Sequence, residues 1–161
     1  AILLYLAEKT GKLFPTDPKD RAKVVESLMF QMGSLGPMFG QYLVFAAAWG
    51  NEFPKVTDRY FKEVSRIMAV LNTRLEGQSF IAGDMFTIAD AAVIPWIRMC
   101  LAHPATADFP LDANTNLKAW WDRMSERPAV QRGLATPAPF PVEQQFEGFV
   151  KATVGLGDLH K

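Results

Sequence analysis

The sequence is poor in the side chains that most chemistry requires. Among 161 residues there is one cysteine, Cys100, and only two histidines, His103 and His160. A single cysteine excludes an intrachain disulfide and fits a reducing, cytoplasmic compartment. Three such residues scattered over loop, helix and tail offer no familiar metal-ligand spacing, so no metal site is expected. Positive charge is not clustered either: 17 basic residues balance 17 acidic ones, with no basic run. Binding to nucleic acid through phosphate neutralisation is thereby excluded. No uncharged apolar run approaches the ~18 residues of a membrane span, and no basic start with a cleavage site marks a secretory signal. Ser/His/Asp sets and phosphate-binding glycine loops are also missing, so no catalytic residue is assigned to this chain. Strand alternation is absent throughout.

What is present is helical. With 49% hydrophobic residues, a chain of this length can form one well-buried domain. The expected fold class is all-α, and its strongest signal lies at Gly83-Asp84-Met85-Phe86-Thr87-Ile88-Ala89-Asp90. Thr87 and Asp90 are spaced as a capping box, in which each side chain reaches the other's backbone amide. Behind the box, Ile88–Leu101 carries charge only at Asp90 and Arg98 and is apolar all round, as a central helix is. Asp90 must then be satisfied in the interior, because an unpaired buried carboxylate is costly. Cys100 lies on the same helix and reads as a small core residue. Arg98 stands two positions away and does not face it, whereas a reactive thiol needs exposure and a cationic neighbour. Pro95 should kink this helix around Ala91.

The other helices follow from caps and spacing. Ala1–Thr10 is apolar, has no N-terminal cap, and ends at Gly11 with Lys9 in its last turn. Asp17 caps the next helix and Pro18 takes its first position. Val24, Leu28, Gln31 or Met32, Leu35 and Phe39 keep helical spacing, but Pro37 cannot bond the Gly33 carbonyl. A bend is expected over Gly33–Pro37, with the helix resuming through Gly40 and ending near Gly50-Asn51. Val56, Tyr60, Val64, Ile67, Leu71 and Leu75 form one stripe of a third helix that Gly77 stops, with Asp58 and Lys62 paired on its wet side. Asn114 or Thr115 is placed to cap a helix bearing Leu117, Trp120, Trp121 and Met124, and Arg127-Pro128 opens a short last one ending at Gly133. Beyond Ala135, alternating prolines and Phe140, Phe146 and Phe149 suggest an extended arm that packs on the domain or on a partner.

The capping box before a central helix, the opening decapeptide and the Arg127-Pro128-Ala129-Val130 ending resemble the cytosolic glutathione transferases, in their C-terminal helical domain. The bend segment Gly33–Gln41 and Asp58-Arg59-Tyr60 are most similar to the bacterial nu-class and yeast prion-like members. The resemblance implies a remnant of the last helix of a thioredoxin-like domain at 1–12, a linker at 13–17, the helical domain at 18–134 and an arm at 135–161. It places the Glu-Ser pair that binds glutathione, and the thiol-activating residue, upstream of Ala1. It further implies an electrophile-side wall of Phe39, Gln41, Tyr42, Phe45 and Trp96, with Arg59 near a glutathione carboxylate. For Arg59 a surface pair with Glu63 is the open alternative. Glutathione would be the co-substrate of the parent protein and no cofactor would be bound by this chain. Its partner molecules would be a small electrophile or disulfide, and a second copy in a homodimer built on Lys19–Phe45 and Val56–Glu76. A non-catalytic, transferase-like interaction module is the alternative function, and the fragment alone is expected to be inactive.

Overall fold

The computed structural model describes residues 1–49 and 51–136; most of the expected arm, 137–161, lies outside the described residues. The regular elements among them are all helices, and the nearest approach to a strand is an isolated bridge between Phe80 and Gly83. No described helix is long and apolar enough to cross a membrane.

The first helix, α1 (Ile2–Thr10), ends on Gly11, whose φ of 65° is the left-handed conformation that a helix C-terminus favours in glycine. The next, α2 (Pro18–Phe30), begins where the Asp17 carboxylate accepts from the amides of Lys19 at 2.9 Å and Asp20 at 3.1 Å. Arg21 ties the two together through Glu8 at 2.9 Å and lies 4.0 Å over the Phe14 ring.

The expected bend takes a specific form. After α2 the chain makes a π-helical turn, Gln31–Leu35, continues as α3 (Gly36–Leu43), and makes a second π turn, Val44–Ala48. At the first turn the Gly36 amide bonds the Gln31 carbonyl, five residues back. This wider turn accommodates Pro37, which has no amide to give the regular ladder. The helix therefore continues past the proline instead of stopping at it, and it ends about where the sequence places its end.

Pro54 opens α4 (Pro54–Arg74), which packs along this bent helix. Arg74 on α4 binds both oxygens of Glu26 on α2 and lies 4.8 Å over the Phe30 ring. The central helix, α5 (Ile88–Ala102), contacts α1, α2, the first π turn and α6 (Thr115–Ser125). Pro95 sits inside α5 with its ring exposed, so the missing amide falls on the outer side. A final helix, α7 (Pro128–Leu134), packs on α6. The core between these elements includes Val24, Leu35, Ile67, Leu71, Val93, Ile97, Leu117 and Trp120, all nearly inaccessible.

One local expectation is corrected. The α6 N-terminus is not capped by the side chain of Asn114 or Thr115. Asn72 on α4 does this instead, its side-chain Oδ1 accepting from the amides of Asn116 at 2.8 Å and Leu117 at 3.2 Å. The Asn114 side chain is directed to the Pro110 carbonyl at 2.6 Å. A cap supplied from 44 residues away cannot be read from local spacing. The two long helices expected to build the homodimer differ in their outer surfaces. Met29 and Met32 are exposed on the bent helix, but the outer side of α4 presents Asp58, Lys62, Arg66 and Thr73.

Candidate functional site

The bent helix carries its large side chains into two separate aromatic groups. The first is interior. Phe39 meets Trp96 of α5 edge-on at 6.0 Å and lies 5.9 Å from Phe109. Tyr42 packs on Phe109 at 4.8 Å and on Phe61 of α4 at 6.0 Å, and Phe61 and Phe109 are stacked at 4.9 Å. Phe39 is 1% exposed and Tyr42 6%. The Tyr42 hydroxyl donates to the Ala105 carbonyl at 2.6 Å. Burial, aided by the nearby Asp108 charge, pushes its ionisation upward. A ligand reaches neither ring without displacing core side chains. Trp96 is half-buried at the edge of this group, over Gly36.

The second group is at the surface, where the bent helix ends. Phe45 stacks on Tyr60 at 5.7 Å with planes 14° apart, meets Trp49 edge-on at 5.0 Å and reaches Phe53 at 6.2 Å. These rings are half-buried or exposed. Arg59 adjoins Tyr60 in sequence and is exposed, as is Gln41. The surface pair of Arg59 with Glu63 is not formed. Glu63 is gripped by Arg66 through two hydrogen bonds of 2.9 and 2.8 Å, which hold its carboxyl below the usual range, and Arg59 adds only a weaker field. Among the described residues no carboxylate lies within ion-pair range of Arg59.

Thr87 and Asp90 form the expected capping box and sit at the structural centre. The Thr87 hydroxyl accepts from the Ala89 amide at 3.2 Å, and Asp90 Oδ2 accepts from the Thr87 amide at 2.9 Å. Asp90 Oδ1 also accepts from the Ile81 amide at 3.0 Å and from the Trp120 indole at 2.9 Å. The carboxylate is wholly buried and serves three elements at once. The box is a folding device and holds no ligand-facing group.

Cys100 is buried, and desolvation pushes its thiol up to about 12. It should resist iodoacetamide at pH 8 in the native protein and react at once in denaturant; rapid native alkylation would contradict this burial. Its linkage sign is fixed by the same shift. The buried thiol holds its proton more tightly than the unfolded one, so its contribution is complete below about pH 9 and is lost as pH rises toward 12. His103 Nδ1 accepts from the Ala105 amide at 3.1 Å, and burial lowers its pKa from 6.5. No group of three or more potential metal ligands occurs among the described residues.

Thus the structure packs the buried Phe39 against the half-buried Trp96, groups Phe45 with Tyr60 at the surface, and leaves Arg59 and Gln41 exposed. Sequence reasoning missed Phe61, Phe109 and Trp120 as partners, because each is distant in sequence from the residue it serves. The tryptophan was legible only as an apolar side chain, yet a buried indole N–H needs an acceptor, and Asp90 was a buried carboxylate in need of donors.

Comparison with known proteins gives a consistent result. The family described as "Glutathione S-transferase, C-terminal domain" matches residues 35–128. The disulfide-bond oxidoreductase YfcG of Escherichia coli is 38% identical over 135 residues, covering 83% of this chain and 60% of that relative. Among solved structures, a glutathione transferase from Burkholderia graminis with two glutathione molecules per subunit is 40% identical at a TM-score of 0.78. The match covers 86% of this chain and 59% of that one. One from Pseudomonas putida, with one glutathione disulfide per subunit, is 39% identical at a TM-score of 0.79, covering 85% and 60%. The chain therefore spans about 60% of the length of these relatives.

Proposed function

The chain belongs to the glutathione S-transferase family through its C-terminal domain, and from that premise we propose that it forms the electrophile-side wall of a glutathione-dependent transferase or disulfide reductase. In the full-length protein its residues bind and orient. Arg59 holds a glutathione carboxylate, and Phe45, Tyr60 and Trp96 offer apolar surface to the second substrate, an electrophile or a disulfide. Gln41 contributes a polar contact at the mouth. Phe39 and Tyr42 stand behind that wall and set its shape. Glutathione enters as co-substrate, and the full-length protein works as a homodimer through the bent helix, where Met29 and Met32 are exposed, rather than through the polar outer side of α4.

The observation that carries this reading is Arg59. It is an exposed guanidinium next in sequence to Tyr60, whose ring stacks on Phe45, and Glu63, four residues on along the same helix, is already held by Arg66. A guanidinium in that position can grip a carboxylate through two parallel hydrogen bonds. In the full-length protein Arg59→Ala should raise the KM for glutathione disulfide about tenfold, the loss of one charge-assisted contact, with kcat little changed. An unchanged KM would remove Arg59 from the site. Absence of any glutathione binding would favour the interaction-module reading.

A further inference from the structure

A cavity of about 330 Å³ opens at the C-terminal end of α5, where the loop after that helix meets α6. Its floor is made by Thr106, Phe109 and Leu111, all buried. Lys118, Trp121 and Asp122 line one side from a single face of α6, and the loop supplies Asp112. The loop is tied in place. The Thr106 hydroxyl donates to the Cys100 carbonyl at 2.6 Å and the Leu111 amide to the Phe109 carbonyl at 2.8 Å, while the Asn114 amide meets the Leu111 carbonyl at 2.9 Å. The Phe109 ring is fixed from behind by Phe39, Tyr42 and Phe61. The cavity is therefore preformed, and its volume falls at the small end of the roughly 300–1,000 Å³ that ligand pockets occupy.

The charges around it are unevenly paired. Lys118 donates to both oxygens of Asp122, at 3.2 and 2.9 Å. The Asp122 hydrogen bond and charge, with a smaller addition from Asp112, raise the Lys118 ammonium above its ordinary range. Among the described residues Asp112 itself makes no ion pair or hydrogen bond. One carboxylate is thus left over beside a half-buried tryptophan ring. We propose that this cavity binds a small primary amine, its ammonium on Asp112 and against the Trp121 ring, its short apolar body on Leu111 and Phe109.

Charge and shape select this occupant. Two carboxylates stand against one ammonium, so the lining repels an anionic ligand and attracts a cation. An ammonium gains a charge-assisted hydrogen bond from Asp112 and a further attraction from the indole face. A bare divalent ion finds only one unengaged carboxylate where it needs several oxygen ligands. The apolar body removes water from Leu111 and Phe109, which a bare cation would leave wet. Lys118 acts here as an internal competitor: with Asp122 engaged it leaves Asp112 to the ligand, and without Lys118 both carboxylates face the ligand. The site does not depend on the glutathione reading.

An amide NMR titration of the full-length protein with 2-phenylethylamine tests it. Saturable shifts should appear at Thr106, Leu111, Asp112 and Trp121, with a Kd of about 1 mM for so small a ligand. Asp112→Asn should weaken binding about tenfold, the loss of one charge-assisted contact. Lys118→Met should instead strengthen it about threefold, because the competing ammonium is gone. Both positions reach solvent, so unchanged spectra elsewhere verify that each variant is folded. Equal binding of 2-phenylethanol, which has the same body without the charge, would overturn the proposal. So would an Asp112→Asn protein that binds like the parent, a Lys118→Met protein that binds more weakly, or no saturable shift at about 10 mM amine.

Discussion

Replacing Asp90 with alanine should cost on the order of 4 kcal/mol of stability and leave little folded protein at 37 °C. Four buried donors lose their acceptor together: the Thr87 amide and hydroxyl, the Ile81 amide and the Trp120 indole. Each orphaned buried donor costs roughly 1–3 kcal/mol, and the carboxylate connects the start of α5 to the preceding loop and to α6. Thr87→Ala removes one cap acceptor and should cost about 1 kcal/mol. Trp120→Phe keeps the carboxylate but takes one donor away, and should fall between the two. Thermal or urea unfolding of the three variants measures the order. An Asp90→Ala protein that melts like the parent but has lost activity would mean that the carboxylate acts chemically.

Gly36→Val should be the next most damaging change, at about 3 kcal/mol. A Cβ at this position would meet Cζ2 of Trp96 at 3.1 Å and the Gln31 side chain at 3.2 Å. The Gln31 carbonyl, already accepting the Gly36 amide, would be 3.4 Å away. Gln31 has little room to yield because it is buried, and Trp96, held edge-on by Phe39, can give only by moving toward solvent. Overpacking of this kind costs roughly 1–3 kcal/mol, and the β-branched side chain adds its own cost inside a helix. Chemical unfolding gives the magnitude. Tryptophan emission should shift in parallel, because relief of the clash moves the indole outward. A variant as stable as the parent would show that the bend is looser than this contact implies.

Much of the fold was legible because its signals are local. Asp17-Pro18, Gly11 and the Thr87/Asp90 box are start and stop marks within a few residues, and each appears where it was read. Pro37 announced a disturbance, but its remedy, a π turn that lets the helix continue, depends on packing against α5 and could not be read from the proline alone. The same limit applies to the candidate site. Tyr42 looked like an accessible aromatic residue at a cleft until Ala105, 63 residues on, proved to accept its hydroxyl. Helical spacing left a pair of Arg59 with Glu63 open as an alternative, yet Arg66 competes at i+3 with two hydrogen bonds and wins that carboxylate. Spacing identifies which residues can meet; competition among partners decides which do.

The central claim is that this domain contributes a guanidinium and an aromatic wall to a glutathione site. Calorimetric titration of glutathione disulfide into the full-length protein tests it most directly. The account predicts saturable binding that Arg59→Ala weakens about tenfold, the worth of one charge-assisted contact. Asp58→Ala, which removes only the solvent-facing pair with Lys62 at 2.6 Å, should leave the affinity as it was. Equal affinity in the parent and Arg59→Ala, or no heat of binding at millimolar ligand, would contradict it.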